Sequence, residues 1–322
     1  PHPMSSARIA LSISLFVAAA AAFSAPHTGA FSAPHAARSG VVHSRRPAVA
    51  HVRATAPAAE GTAVEPEVRP PRDEAEMLAQ ATAAVARGKE SGLTRFTLRL
   101  FLLRDGELVP PDESWQGGIM QLFAVASPLV RNLLRKLSVD VAGVPPALSE
   151  QRLDVSGVDG ESVWMAQSSR PQDDAVGFVQ PSTEVMKTVT SLSESAGARP
   201  VLLVNPQWKE RDDPLDALSR KGGLLGSFGN FLGGKAATEA ELERLGFTDV
   251  YTLTEYRCRG SLIFLQLAYP YGWTAFYRQG VADDEWKPLL VGAPARPTYQ
   301  EVEDALKANN VPFRLTEFDS VV

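Results

Sequence analysis

Between Ala175 and Asn205 the chain writes an apolar run, AVGFVQ, then Pro181 to Glu194 with helical character, then a second apolar run, VLLVN, stopped by Pro206. Strand, helix, strand over about thirty residues is the signal of a βαβ unit. Strands joined in this way lie parallel, and the crossover is right-handed. This feature predicts a sheet with a parallel core.

The texture changes after residue 248. DVYTLTEY, SLIFLQLAY and TAFYRQ are separated by short turns and read as antiparallel strands. Upstream, Asp73 to Gly88 carries a helical stripe of Met77, Leu78, Ala81 and Val85, with Asp73 and Glu76 spaced as a capping box and Gly88 as the stop. Arg95 to Leu103 (RFTLRLFLL) is apolar enough for one buried strand. Trp115 to Leu137 repeats large apolar residues at helical spacing, with Pro128 as a kink or break. Residues 151–168 suggest two short strands around an Asp159-Gly160 turn, and Thr298 to Ala308 a late helix with Val302 and Leu306 inward. The five tryptophans, Trp115, Trp164, Trp208, Trp273 and Trp286, read as core. The expected fold class is α/β: a Rossmann-like sheet with a parallel core and an antiparallel C-terminal extension, formed by residues 73–322.

The first 72 residues have a different character. Ile9 to Ala22 is an apolar run behind Arg8 that ends in Ala20 and Ala22, the pattern of a signal peptide over residues 1–22. A spanning helix takes about 18 or more apolar residues, so this run is too short to be one. Residues 23–59 contain no Asp or Glu, while Arg38, Arg45, Arg46 and Arg53 stand among Ser, Ala and Pro. That is transit-peptide composition. Phe23 in AAAFSAP and Phe31 in GAFSAP resemble the Phe that bipartite presequences carry in algae with secondary plastids. Residues 60–72 are rich in Pro, Ala and Glu and read as a linker.

All five histidines, His2, His27, His35, His43 and His51, precede the folded domain. The domain therefore has no Ser-His-Asp or Cys-His catalysis, no histidine acid–base work and no histidine metal ligation. Cys258 is the single cysteine, which excludes an intrachain disulfide and is expected as a packed thiol. The chain has 32 basic and 37 acidic residues, and removing the five arginines of its first 59 residues leaves 27 against 37, a formal charge of −10. An acidic domain suits a phosphate backbone poorly, so no nucleic-acid partner is expected.

Two stretches are candidate sites. Arg220 to Lys235 (RKGGLLGSFGNFLGGK) is not a P-loop, because Ala236 follows Lys235. It reads as a packed glycine-relaxed loop, an anion loop or an interfacial segment. In the last case Leu224, Leu225, Phe228, Phe231 and Leu232, flanked by Arg220 and Lys221, would touch a membrane or partner. Asn205 and Trp208 follow a parallel strand, where α/β ligand pockets are built, though stopping the strand explains Asn-Pro as well. The pairs Asp173-Asp174, Asp212-Asp213 and Asp283-Asp284 read as turns and caps. No catalytic residue, metal site or cofactor is assigned.

The order of elements resembles the DUF1995 domain. The matching pieces are an Ala-rich helix with its following strand, GFVQP, VLLVNPQW, an aromatic strand pair, and WKPLLVGAPARPTYQEVEDAL. The resemblance covers roughly residues 73–312, with Arg220 to Lys235 as an insertion. The family is plastid and cyanobacterial and includes the low-photosystem-II-accumulation protein 3 of plants. The resemblance implies a non-enzymatic factor in the plastid stroma, peripheral to the thylakoid membrane. It would assist assembly of a thylakoid complex, photosystem II foremost, with a thylakoid membrane protein or assembly complex as partner. Two alternatives stay open: a Rossmann-like enzyme binding a nucleotide or sugar phosphate near Asn205, and a stoichiometric accessory subunit of a photosynthetic complex.

Overall fold

VLLV is buried at every residue, and so is AVGFV. A strand with no polar face must be covered on both sides, and the rest of the architecture follows from that need. The structure, a computed structural model, describes residues 68–112, 114–139, 143–154, 157–158, 160–208, 229–279 and 285–313, the side chains of 229–236 excepted. In chain order the elements are α1 (Glu74–Glu90), β1 (Arg95–Arg99), β2 (Leu102–Arg104), β3 (Glu107–Val109), α2 (Gly118–Leu137), β4 (Ala147–Arg152), β5 (Ser162–Gln167), β6 (Ala175–Val179), α3 (Met186–Ala196) and β7 (Val201–Val204). They continue with α4 (Gly229–Leu245), β8 (Thr248–Cys258), β9 (Ser261–Ala268), β10 (Trp273–Arg278), β11 (Lys287–Ala293) and α5 (Tyr299–Ala308).

Nine strands form one mixed sheet in the order β11-β10-β9-β8-β1-β7-β6-β5-β4, and β2 and β3 make a separate two-stranded ribbon. The central four, β8, β1, β7 and β6, are parallel. β9, β10 and β11 continue antiparallel on one side, and β5 and β4 on the other. The expected parallel core and antiparallel C-terminal extension are both present. The second antiparallel flank, from residues 147–167, goes beyond that expectation.

Helices cover both faces. On the first, Met77, Ala81 and Val85 of α1 and Phe123, Val130 and Leu134 of α2 pack on Phe96, Leu98, Leu202 and Val204. On the second, Val189, Leu192 and Ala196 of α3 pack on Val176, Phe178, Val201 and Leu203, with Leu242 of α4 against the same cluster. Farther along, Val302 and Leu306 of α5 pack on Ile263, Leu265 and Ala275, as their spacing predicts. Among the described residues no helix is long and apolar enough to cross a membrane.

Local departures from the sequence reading have physical reasons. RFTLRLFLL is two strands, because Leu100 and Phe101 leave the sheet for the hydrophobic core and Leu102 starts the ribbon. Pro128 lies inside α2 without ending it. The strands around residue 159 are β4 and β5, set wider apart than a tight turn would place them, and Asp159 itself lies outside the described residues. Asp73 caps α1 by accepting from the Glu76 N–H at 2.8 Å, but Glu76 closes the box one residue early, on the Arg72 N–H and guanidinium. Gly88 does not stop α1. It is a packing position, since a Cβ there would lie 2.8 Å from Cε1 of the buried Phe96 ring. Gly177 on β6 has the same role: a Cβ would meet Val130 of α2 at 2.9 Å.

Arg95 fixes α3 to the sheet. Its guanidinium, on the second face, donates to the carbonyls of Ser193, Gly197, Arg199 and Thr94. The last carbonyls of a helix have no partner within it, so a strand arginine here closes that end of α3. Burial lowers its pKa, and an arginine remains a cation through any such shift.

Candidate functional site

Open α/β sheets place ligands outside the carboxyl ends of the strands, where neighbouring strands send their chains to opposite faces. Here that point lies between β1 and β7. The chain leaving β1 goes to α2 on the first face, and the chain leaving β7 goes to α4 on the second.

Asn205 stands at this point. Its backbone is in the left-handed region, at φ 49°, a conformation Asn tolerates better than other side-chain-bearing residues. Its amide turns toward the end of β1: Oδ1 accepts from the Leu100 N–H at 2.6 Å, and Nδ2 donates to the Leu100 carbonyl at 3.0 Å. Arg99 reaches the same loop and donates to the carbonyls of Pro206 at 3.2 Å and Trp208 at 3.1 Å. The structure therefore brings Asn205 and Trp208 together with Arg99. The Asn205 amide joins two strand ends, and the Trp208 ring packs against the α3 cluster.

Beside this point, on the second face, the sheet floor between the α3 and α5 clusters is polar. β1 contributes Thr97 and Arg99. The paired positions of β8 are Asp249 opposite Thr97 and Thr252 opposite Arg99, and Thr254 comes next on the same face. Arg296, from the loop before α5, closes over this floor. It is 8% exposed, its guanidinium lies 5.3 Å over the Trp273 ring, and it donates to the Thr254 hydroxyl at 3.2 Å. Burial, with the charge of Arg99 adding to it, brings Arg296 down to about 10, so it is a cation at neutral pH. Solvent reaches Asp249, yet enough protein surrounds it that partial desolvation raises its carboxyl, while the Arg99 charge works the other way. The sequence signal for this floor is alternation: R-T-R in RFTLR, and D, T and T in DVYTLTEY, mark polar positions in strands otherwise buried. Reading RFTLRLFLL as one buried strand passed over it.

Of the other candidates, Arg220, Lys221, Leu224, Leu225 and Phe228 lie outside the described residues, as do the side chains of Phe231 and Leu232 at the start of α4. Asp173 accepts from Arg170, and Asp174 from the Ser168 N–H, consistent with a turn. Asp212-Asp213 and Asp283-Asp284 are outside the described residues. Cys258 is buried beneath α5, and desolvation pushes its thiol up, away from the reactive thiolate. Among the described residues no group of three or more His, Cys, Asp or Glu side chains is placed to hold a metal ion.

No curated protein matches the chain. A family model described as Domain of unknown function (DUF1995) matches residues 71–304, well over half of the sequence and the whole nine-stranded sheet, and the chain belongs to that family.

Proposed function

We propose that this chain is a plastid factor that assists the assembly or accumulation of a thylakoid complex, photosystem II foremost, by binding and not by catalysis. The observation that carries the reading is Phe23 in AAAFSAP, placed between a signal-like apolar run and an acid-free segment with Arg and Ser. Such a leader addresses a protein to a plastid through the secretory route. Two further observations support a binding role. The domain after residue 51 has no histidine, and its one thiol is buried. The resemblance to the low-photosystem-II-accumulation branch of the family supplies the process.

The test has two arms. Residues 4–60 fused to a fluorescent protein should enter the plastid, and Phe23→Ala with Phe31→Ala should abolish delivery. The tagged protein should copurify from solubilised thylakoids in substoichiometric amounts with incomplete complexes. Stoichiometric recovery with the mature complex would make it an accessory subunit, plastid delivery undiminished by the double substitution would remove the reading of Phe23 as an address label, and a fusion that does not enter the plastid would remove the plastid reading.

A further inference from the structure

We propose that the C-terminal end of α2 docks the domain on an anionic lipid surface. This goes beyond the assembly reading and does not depend on it. α2 (GIMQLFAVASPLVRNLLRKL) contains no Asp or Glu, and its last two turns carry Arg131, Arg135 and Lys136. Its inner side packs on the sheet through Phe123, Val130 and Leu134. Its outer side runs through Ala124, Pro128, Arg131 and Arg135, each about one turn from the last, with Lys136 beside them. Elsewhere Arg152, Arg170, Arg244, Arg259 and Lys307 each meet a carboxylate. Among the described residues none is placed against Arg131, Arg135 or Lys136, and Nε of Arg131 is buried without a hydrogen-bond partner. The helix dipole favours cations in the last turn, which accounts for Arg135 and Lys136. It does not account for Arg131, one turn earlier, where like charges four residues apart repel. An anionic surface relieves all three.

Apolar side chains stand beside these cations. Leu103 is 39% exposed, and Val139, just past the Ser138 cap, is 43% exposed. A crevice of about 560 Å3 between the start of α1 and the end of α2 is lined by Leu78 and Leu103 and rimmed by Arg135 and Lys136. A basic rim over apolar residues matches a lipid with a charged headgroup and an apolar chain. Across the crevice stand Glu74 and Asp73, the latter accepting from the Glu76 N–H, and they oppose the cations. Ala124 and Pro128 offer a partner protein no charge and no hydrogen bond to read, and a lipid surface needs neither. The chain after residue 59 has a net charge of −10, so an anionic bilayer repels it as a whole and is met through a local basic patch.

The test floats the full chain with vesicles of phosphatidylcholine alone and of phosphatidylcholine mixed with phosphatidylglycerol, at low and at high salt. Binding should require the anionic lipid and weaken at least about tenfold at high salt, where the charges are screened. Arg131→Gln, Arg135→Gln and Lys136→Gln should each weaken it about fivefold, and all three together about a hundredfold. Leu103→Ser should weaken it several-fold and leave the salt dependence unchanged, because it removes apolar contact only. Glu74→Gln should strengthen it several-fold by removing an opposing charge. Lys187→Gln, on α3 across the sheet, should leave it unchanged. A polarity-sensitive dye on Val139→Cys should shift to the blue on anionic vesicles, and the same dye on Lys187→Cys should not. The dye locates the contact, so attachment through another segment of the chain is told apart from docking by α2. A chain that does not bind anionic vesicles overturns the assignment and leaves the patch to an acidic protein. Binding retained by the triple variant, or a dye on Val139→Cys that does not shift, overturns it as well.

Discussion

At Asn205 two properties of one residue type are used together. The left-handed backbone admits Asn, and the amide offers an acceptor and a donor to the two polar groups of Leu100. The sequence shows a polar residue stopping VLLV, and that much was legible. The use of the side chain was not, because its partner lies 105 residues away. Removing the amide leaves two buried backbone groups without partners, at about 1–3 kcal/mol each, and an alanine at this φ adds about 1 kcal/mol of strain. Asn205→Ala should therefore lower unfolding stability by roughly 3–7 kcal/mol, and Asn205→Gly by about 1 kcal/mol less, because glycine accepts the backbone. Urea unfolding of both variants measures this. An alanine variant as stable as wild type would show that the amide is dispensable to the fold and available to a ligand.

At the level of elements, hydrophobic stripes predicted existence and type well, and long-range contacts moved the boundaries. Glycine was read as a stop at position 88, yet α1 runs through it because the Phe96 ring needs the space. That need arises from β1 packing across the helix, which no local rule contains. The contact between α3 and α4 was equally invisible, since beside Leu242 it rests on polar side chains: Thr190 donates to Glu241 at 2.7 Å, and Arg244 bonds both Glu241 and Glu194. These hydrogen bonds, that of Arg244 foremost, hold the Glu241 carboxyl down to about 2, below its ordinary 4.5. A carboxylate depressed in the folded state stabilises above its unfolded pKa and loses that contribution as pH falls through the folded value. Stability should therefore decline between about pH 5 and pH 2 in part through Glu241. Glu241→Gln should flatten that portion of the curve while the remaining acid sensitivity persists. Equilibrium unfolding from pH 2 to 7 reads it out, and identical pH profiles for the two proteins would exclude the linkage.

On the scale of the whole molecule, the sheet is graded from a dry centre to wet edges, and burial follows connection. β6 and β7 are joined through α3, β7 and β8 through α4, and each connection adds cover to the second face while α1 and α2 cover the first. The βαβ signal in AVGFVQ and VLLVN was enough to predict this centre, because a parallel pair cannot form without crossover cover. It could not fix how far the sheet extends, because antiparallel flanks need only a turn, and β11 in particular is a short amphipathic run whose sequence resembles a loop. The outer strands remain largely solvated. β4 has no fully buried residue, and β11 is exposed at four of its seven, with Val291 75% exposed. Backbone hydrogen bonds open by local fluctuation where few apolar contacts hold them, and only by global unfolding at the centre. Amide exchange of the full chain should therefore be slowest in β1, β6 and β7, faster in β9 and β10, and fastest in β4 and β11, with the edges exchanging at least about a hundredfold faster than the centre. Exchange mass spectrometry with peptide coverage of both edges measures the gradient. If β11 were protected as strongly as β7 in the isolated protein, its outer hydrogen-bonding groups would have to be covered by another chain. The nine-stranded sheet would then be one part of a larger one, and oligomeric state measured alongside exchange would separate a second copy from an intramolecular cover.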